Sequence, residues 1–164
     1  MYKIIISSLK HDMNYIKYIV LILCLTPIHG VNAKSYNFSE STLVHHIIGF
    51  TEHSLGADYS VRLTSNYLEA NTDASFSLVQ NCFGSDFIVT SSDFASTRVG
   101  ISNSFISDVT INITDSFFAD ISILVTDRFG TADYSICVPN DWNVQNISIP
   151  EIVASIYYLE FFKK

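Results

Sequence analysis

Positive charge is scarce in this chain of 164 residues, where nine Lys and Arg stand against sixteen Asp and Glu. From Lys34 onward the imbalance sharpens to six basic against fifteen acidic residues, a net charge of −9. A field of that sign repels nucleic acid and anionic lipid, and no basic cluster overrides it, so nucleic acid is excluded first as a partner. The acidity otherwise reads as solubility outside the cell. Long apolar runs are missing too. Tyr18 to Leu25 is a run of eight, against the roughly 20 residues that cross a bilayer as a helix, and no later segment approaches that length. A retained membrane span is therefore not expected.

Cysteine is almost absent, with Cys24, Cys82 and Cys137 the complete set, and tryptophan is represented once, by Trp142. Catalytic signatures are also lacking. The many serines include no G-x-S-x-G elbow, and paired carboxylates cannot be singled out where an acidic residue marks nearly every turn. No motif for a cofactor is present. An enzyme is the less favoured class on these grounds, with a small secreted hydrolase as its remaining form.

What is present begins with a leader. Lys17 precedes the apolar run, Pro27 follows it, and Val31-Asn32-Ala33 places small residues one and three positions before a cut, the arrangement a signal peptidase needs. Residues 1–33 read as a signal peptide with translation starting at Met13 and cleavage after Ala33. Cys24 does not suit lipidation, because Leu23 before it is large. Residues 34–164 then form one exported domain of a length that buries about two-thirds of its surface. The expected location is the cell exterior, or the periplasm and cell surface if the source is bacterial.

Cys82 and Cys137 are the only cysteines beyond the leader, and an even pair in an exported chain points to a disulfide. The loop it closes corresponds to a nominal stabilisation of roughly 3–4 kcal/mol in the entropic account. Two buried free thiols are the competing reading.

Asn37 and Glu40 have the spacing of a capping box, Leu43, Val44, Ile47 and Ile48 follow at helical intervals, and Gly56 stands where a helix would stop. The spacing predicts a helix over 39–54, although Gly49 weakens it and the same run also fits two short strands. Beyond Gly56 the period is two. Tyr59, Val61 and Leu63, then Phe76 and Leu78, and so on to Tyr134, Ile136 and Val138, alternate between turn-forming clusters of Asp, Asn, Ser and Gly. Eight to nine short strands joined by short turns predict a mainly β domain, an antiparallel sandwich or barrel. Residues 152–162 are apolar on both alternating faces, which fits a central strand or one shared with another subunit.

Candidate site residues are few. His45, His46, His53 and Glu52 form the only grouping of likely metal ligands, but they lack the i, i+4 spacing of a helical zinc pair, so no metal is assigned. Asp127 and Asp133 flank Gly130 without the order of a calcium loop, and turn chemistry accounts for them. Trp142, between Asp141 and Asn143, is the one candidate binding residue, as a platform for a sugar or an anchor for a protein, although such a residue more often closes the end of a sandwich core. Asn37, Asn112 and Asn146 each begin an Asn-X-Ser/Thr triplet, no more than chance supplies.

In size, Ser/Thr richness, scarcity of lysine and apolar terminal segment, the exported part is similar in general character to fimbrial subunits and surface adhesins. Its cysteines lie deeper in the chain than the early pair of such pilins. The expected function is a secreted binding or adhesion module, self-associating through residues 152–162, with a protein or glycan partner at the cell surface. A secreted effector or toxin-associated subunit that binds a host glycan or receptor is the alternative.

Overall fold

The computed structural model describes residues 33–39, 44–68, 71–102, 106–128, 130–140, 142 and 146–163, so the leader assigned to residues 1–33 lies outside it except for Ala33. Nine strands follow one another: β1 (Lys34–Ser39), β2 (His46–Thr51), β3 (Tyr59–Thr64), β4 (Ala74–Val79), β5 (Phe87–Val89), β6 (Thr97–Ser102), β7 (Val109–Ile113), β8 (Ile121–Thr126) and β9 (Tyr134–Cys137). They close into a barrel in the order β1-β5-β9-β4-β8-β3-β7-β2-β6. Every pairing is parallel. The antiparallel arrangement expected from the short connections is therefore wrong.

The reason lies in the stagger. Parallel neighbours ordinarily need a crossover of a dozen or more residues to return the chain to the starting edge. Here consecutive strands are not neighbours but stand one strand apart, and each begins abreast of the end of the one before. Phe38 near the end of β1 pairs with Val99, and Val99 pairs with His46, the first residue of β2. The same relay links Phe50 through Ile111 to Tyr59, Leu63 through Ile123 to Ala74, and Leu78 through Ile136 to Phe87. A connection need only step over the single strand between, and seven residues, 52–58, suffice from β2 to β3. The described parts of the connections are thus straps across the outside of the barrel.

Alternation along the strands divides the wall. Tyr36, Ile48, Val61, Phe76, Val89, Val99, Ile111, Ile123 and Ile136, one from each strand, are fully buried and form the inner layer. They surround the helix α1 (Ile149–Tyr157), in which Ile152 to Tyr157 are all buried. Nine strands leave an interior wide enough to be filled by side chains and one helix. Tyr158–Phe162 continue α1 as a π-helical turn at the end of the barrel where the strands start.

Residues 152–162 are therefore helical, not a strand. A helix enclosed on all sides is apolar all round, and its sequence carries the same two-faced pattern as a central strand. The decisive signal is a capping box. Ser148 Oγ accepts from Glu151 N, Glu151 Oε2 accepts from Ser148 N at 2.6 Å, and Pro150 occupies the first turn, where its missing N–H costs nothing. The helix expected over 39–54 is likewise absent, its described residues belonging to β1, β2 and the connections around them. Asn37 spends its side chain elsewhere, its amide donating to the carbonyl of Ser92 at 3.0 Å.

That bond belongs to a recurring contact between each strap and the strand beneath it. Asn112 on β7 donates at 2.8 Å to the carbonyl of Thr51, the last residue of β2, where the strap begins, and Thr126 on β8 accepts from the Tyr67 hydroxyl at 2.5 Å. The Arg62 guanidinium on β3 lies 3.9 Å from the centre of the Phe117 ring. Where the strap comes closest the strand carries glycine: a Cβ on Gly49 would stand 2.8 Å from Ser107 Oγ, and one on Gly100 would stand 3.0 Å from a Val44 methyl. Over β9 the contact is covalent, because Cys82 in the β4–β5 strap is disulfide-bonded to Cys137.

Candidate functional site

The two ends of the barrel and its outer belt differ in chemistry. At the end where strands start, an aspartate precedes six of them and clamps the neighbouring strand. Asp133 Oδ2 accepts from Ser75 N (3.1 Å) and Oγ (2.6 Å), and Asp86 Oδ2 accepts from Ser135 N and Oγ, both at 2.8 Å. Asp120 holds Ser60 in the same way, while Asp73, Asp58 and Asp108 accept from the backbone N–H groups of Ser122, Thr110 and Ile47. Donation from the Ser60 hydroxyl, then from its backbone, holds the Asp120 carboxyl below its ordinary value. Such a clamp stabilises the fold above the ordinary carboxylate range and is lost as pH falls through it.

The six aspartates head strands that are consecutive around the barrel, β5-β9-β4-β8-β3-β7, so they form one acidic arc. The cations of this end gather across the other three strands. The Lys34 ammonium and the Tyr36 hydroxyl both donate to Glu160 in the π-helical turn. Burial, and then the Glu160 carboxylate, push the Tyr36 hydroxyl far above its ordinary range. Lys163 Nζ lies 2.7 Å from His46 Nδ1 and 3.9 Å from Asp108. Burial first, and then Lys163, lower the His46 pKa, so its imidazole is neutral at pH 7. The opposite end holds an open recess of about 690 Å³ lined by Phe50, Glu52, His53, Ser148 and Glu151 among others.

The belt between the ends is apolar. Leu55, Leu68, Phe83, Phe94, Ile106, Phe117 and Phe118 stand on straps, with exposures from 77% for Phe117 to 97% for Phe94. Four of these straps cross neighbouring strands, β8 (Leu68), β3 (Phe117 and Phe118), β7 (Leu55) and β2 (Ile106), so their tips adjoin on one side.

Trp142 is not on this belt. It is half-buried against the core, its backbone N–H donates to the Pro139 carbonyl at 3.0 Å, and its indole nitrogen is buried with no partner among the described residues. The histidines separate: His46 sits at the strand-start end, His53 at the other, and His45 Nδ1 accepts from the Arg98 backbone at 3.2 Å. No group of metal ligands forms among the described residues. Asn37 and Asn112 are buried and Asn146 is exposed. The segment assigned to self-association, 152–162, has Ile152 to Tyr157 buried inside its own barrel. No described helix is long and apolar enough to cross a membrane.

The acidic arc and the strap tips were missed by the sequence reading. The arc leaves one signal, a recurring aspartate followed by an apolar residue and usually Ser or Thr, as in Asp58-Tyr-Ser60, Asp108-Val-Thr110, Asp120-Ile-Ser122 and Asp133-Tyr-Ser135. No protein-family model, curated protein or solved structure matches this chain.

Proposed function

We propose that this chain is an exported binding and adhesion module that associates with further copies of itself through the strap belt. The observation that carries this reading is the set of apolar tips, which stand in solvent on a polar, strongly acidic domain, an arrangement characteristic of interaction surfaces. The tips repeat around the wall, so two copies set side by side present the same chemistry to each other. The Cys82–Cys137 bond suits an oxidising compartment outside the cytosol.

Sedimentation velocity of the purified protein over a hundredfold concentration range tests the reading. Concentration-dependent oligomers are expected, and the triple variant Leu55→Ser, Phe94→Ser, Phe118→Ser should sediment as a monomer with the same melting temperature, because none of the three side chains is buried. A wild type that stays monomeric throughout, or a triple variant that oligomerises equally, overturns it.

A further inference from the structure

At the strand-start end, a cavity of about 480 Å³ opens between β4, β9 and the helical plug, lined by Asp73, Ala74, Asp133, Tyr134, Tyr157 and Phe161. Its size lies in the range of small-molecule sites. Its inner surface is aromatic: the ring of Phe161 stands 5.0 Å from that of Tyr134 and 5.2 Å from that of Tyr157. At its mouth stand two exposed carboxylates. Each uses Oδ2 as a strand clamp, Asp73 toward Ser122 and Asp133 toward Ser75, and among the described residues no donor reaches either Oδ1. No ion pair neutralises them among those residues, since Lys34 and Lys163 serve Glu160 and Asp108 elsewhere on the rim. The charge of Asp73 reaches into the cavity and, after burial, raises the Tyr157 pKa.

We propose that this recess binds an organic ammonium ion, its N–H groups donating to Asp73 and Asp133 and its charge and alkyl chain lying over Tyr134, Tyr157 and Phe161. Aromatic faces attract a cation electrostatically, and carboxylates add charge-assisted hydrogen bonds. The neighbouring aspartates of the arc, Asp86 on one side and Asp120 and Asp58 on the other, extend the negative field and draw cations to the mouth. An anion is repelled by the same field. A bare calcium ion would want six or more oxygen ligands, and aromatic rings supply none. The site is separate from the strap belt, so this inference stands apart from the self-association reading.

The test is calorimetric titration of the full chain with n-pentylammonium chloride and, as a neutral isostere, 1-pentanol. Saturable one-to-one binding of the ammonium is expected, with the alcohol at least about tenfold weaker. Asp73→Asn/Asp133→Asn keeps an acceptor oxygen for each clamp, lowers the melting temperature by the loss of charge while the barrel stays folded, and should weaken the ammonium about tenfold. Phe161→Leu keeps the packing and should shrink the discrimination against the alcohol. Should the Asn variant fail to fold, ammonium-induced NMR shifts in the wild type must map to Tyr134, Tyr157 and Phe161. No saturable heat, equal affinity for the alcohol, undiminished affinity in a folded Asn variant, or shifts mapping elsewhere each overturn the proposal. Nα-acetyl-lysine amide, titrated in parallel, separates the sources of such a head group: equal affinity assigns the site to a lysine side chain of a protein, and weak binding assigns it to a free amine.

Discussion

The two sides of the barrel wall obey different rules. Inward, each strand contributes at least one fully buried apolar side chain, and these meet a helix whose residues Ile152 to Tyr157 are all buried, so shape and volume decide what is tolerated. Outward, the corresponding positions are occupied by Asn37, Gly49, Arg62, Gly100, Asn112 and Cys137, no two alike in chemistry except the paired Asn and Gly, yet each meets the strap above it. The inner layer repeats one solution nine times. The outer layer solves one problem, tying down a strap, with hydrogen bonds, cation–π stacking, close approach or a covalent bond. An inner layer shared by every strand is cooperative, whereas each strap contact is local.

Three measurements sharpen or break that contrast. Phe76 is fully buried and stands within 6.5 Å, centre to centre, of the rings of Phe87, Tyr134, Tyr157 and Phe161, so Phe76→Ala should cost about 3–5 kcal/mol in urea unfolding. A loss below ~1 kcal/mol would mean the interior is loosely packed. Replacing both Cys82 and Cys137 with Ala should cost about 2–4 kcal/mol, mainly by freeing the unfolded chain, while leaving the barrel's circular dichroism unchanged. Asn112→Ala strands the Thr51 carbonyl at the end of β2, where the strap begins, and should cost about 1–3 kcal/mol, with hydrogen exchange accelerating in residues 52–58 and not in α1. Acceleration spread evenly over the whole chain would deny that straps are local.

Much of the wall was legible in the residues alone. Alternation placed the inner layer correctly at Val61, Phe76, Val99, Ile111, Ile123 and Ile136, and Cys82 and Cys137 identified their own bond. Strand direction was not legible, because a period of two is common to parallel and antiparallel strands. Short connections seemed to settle the matter only because the stagger between strands leaves no mark on hydrophobic pattern. Asn37 with Glu40, and the apolar residues from Leu43 to Ile48, mimicked a helix where an amide was needed for a strap. Ser148 with Glu151 marked a true helix start that the two-faced apolar run behind it obscured. For the ammonium recess, no local signal exists: Asp73, Asp133 and Phe161 come from three distant segments that only the barrel's order of neighbours brings to one rim.

That order has a bearing on how the molecule comes into being. None of β1 to β4 pairs with another of the four; all their hydrogen-bonding partners lie among β5 to β9, and the plug that fills the interior is made last of all. The first circuit of the winding therefore emerges from the ribosome as bare thread, with nothing to zip against until the second circuit arrives. A fragment that stops short of β5 therefore has no sheet to form.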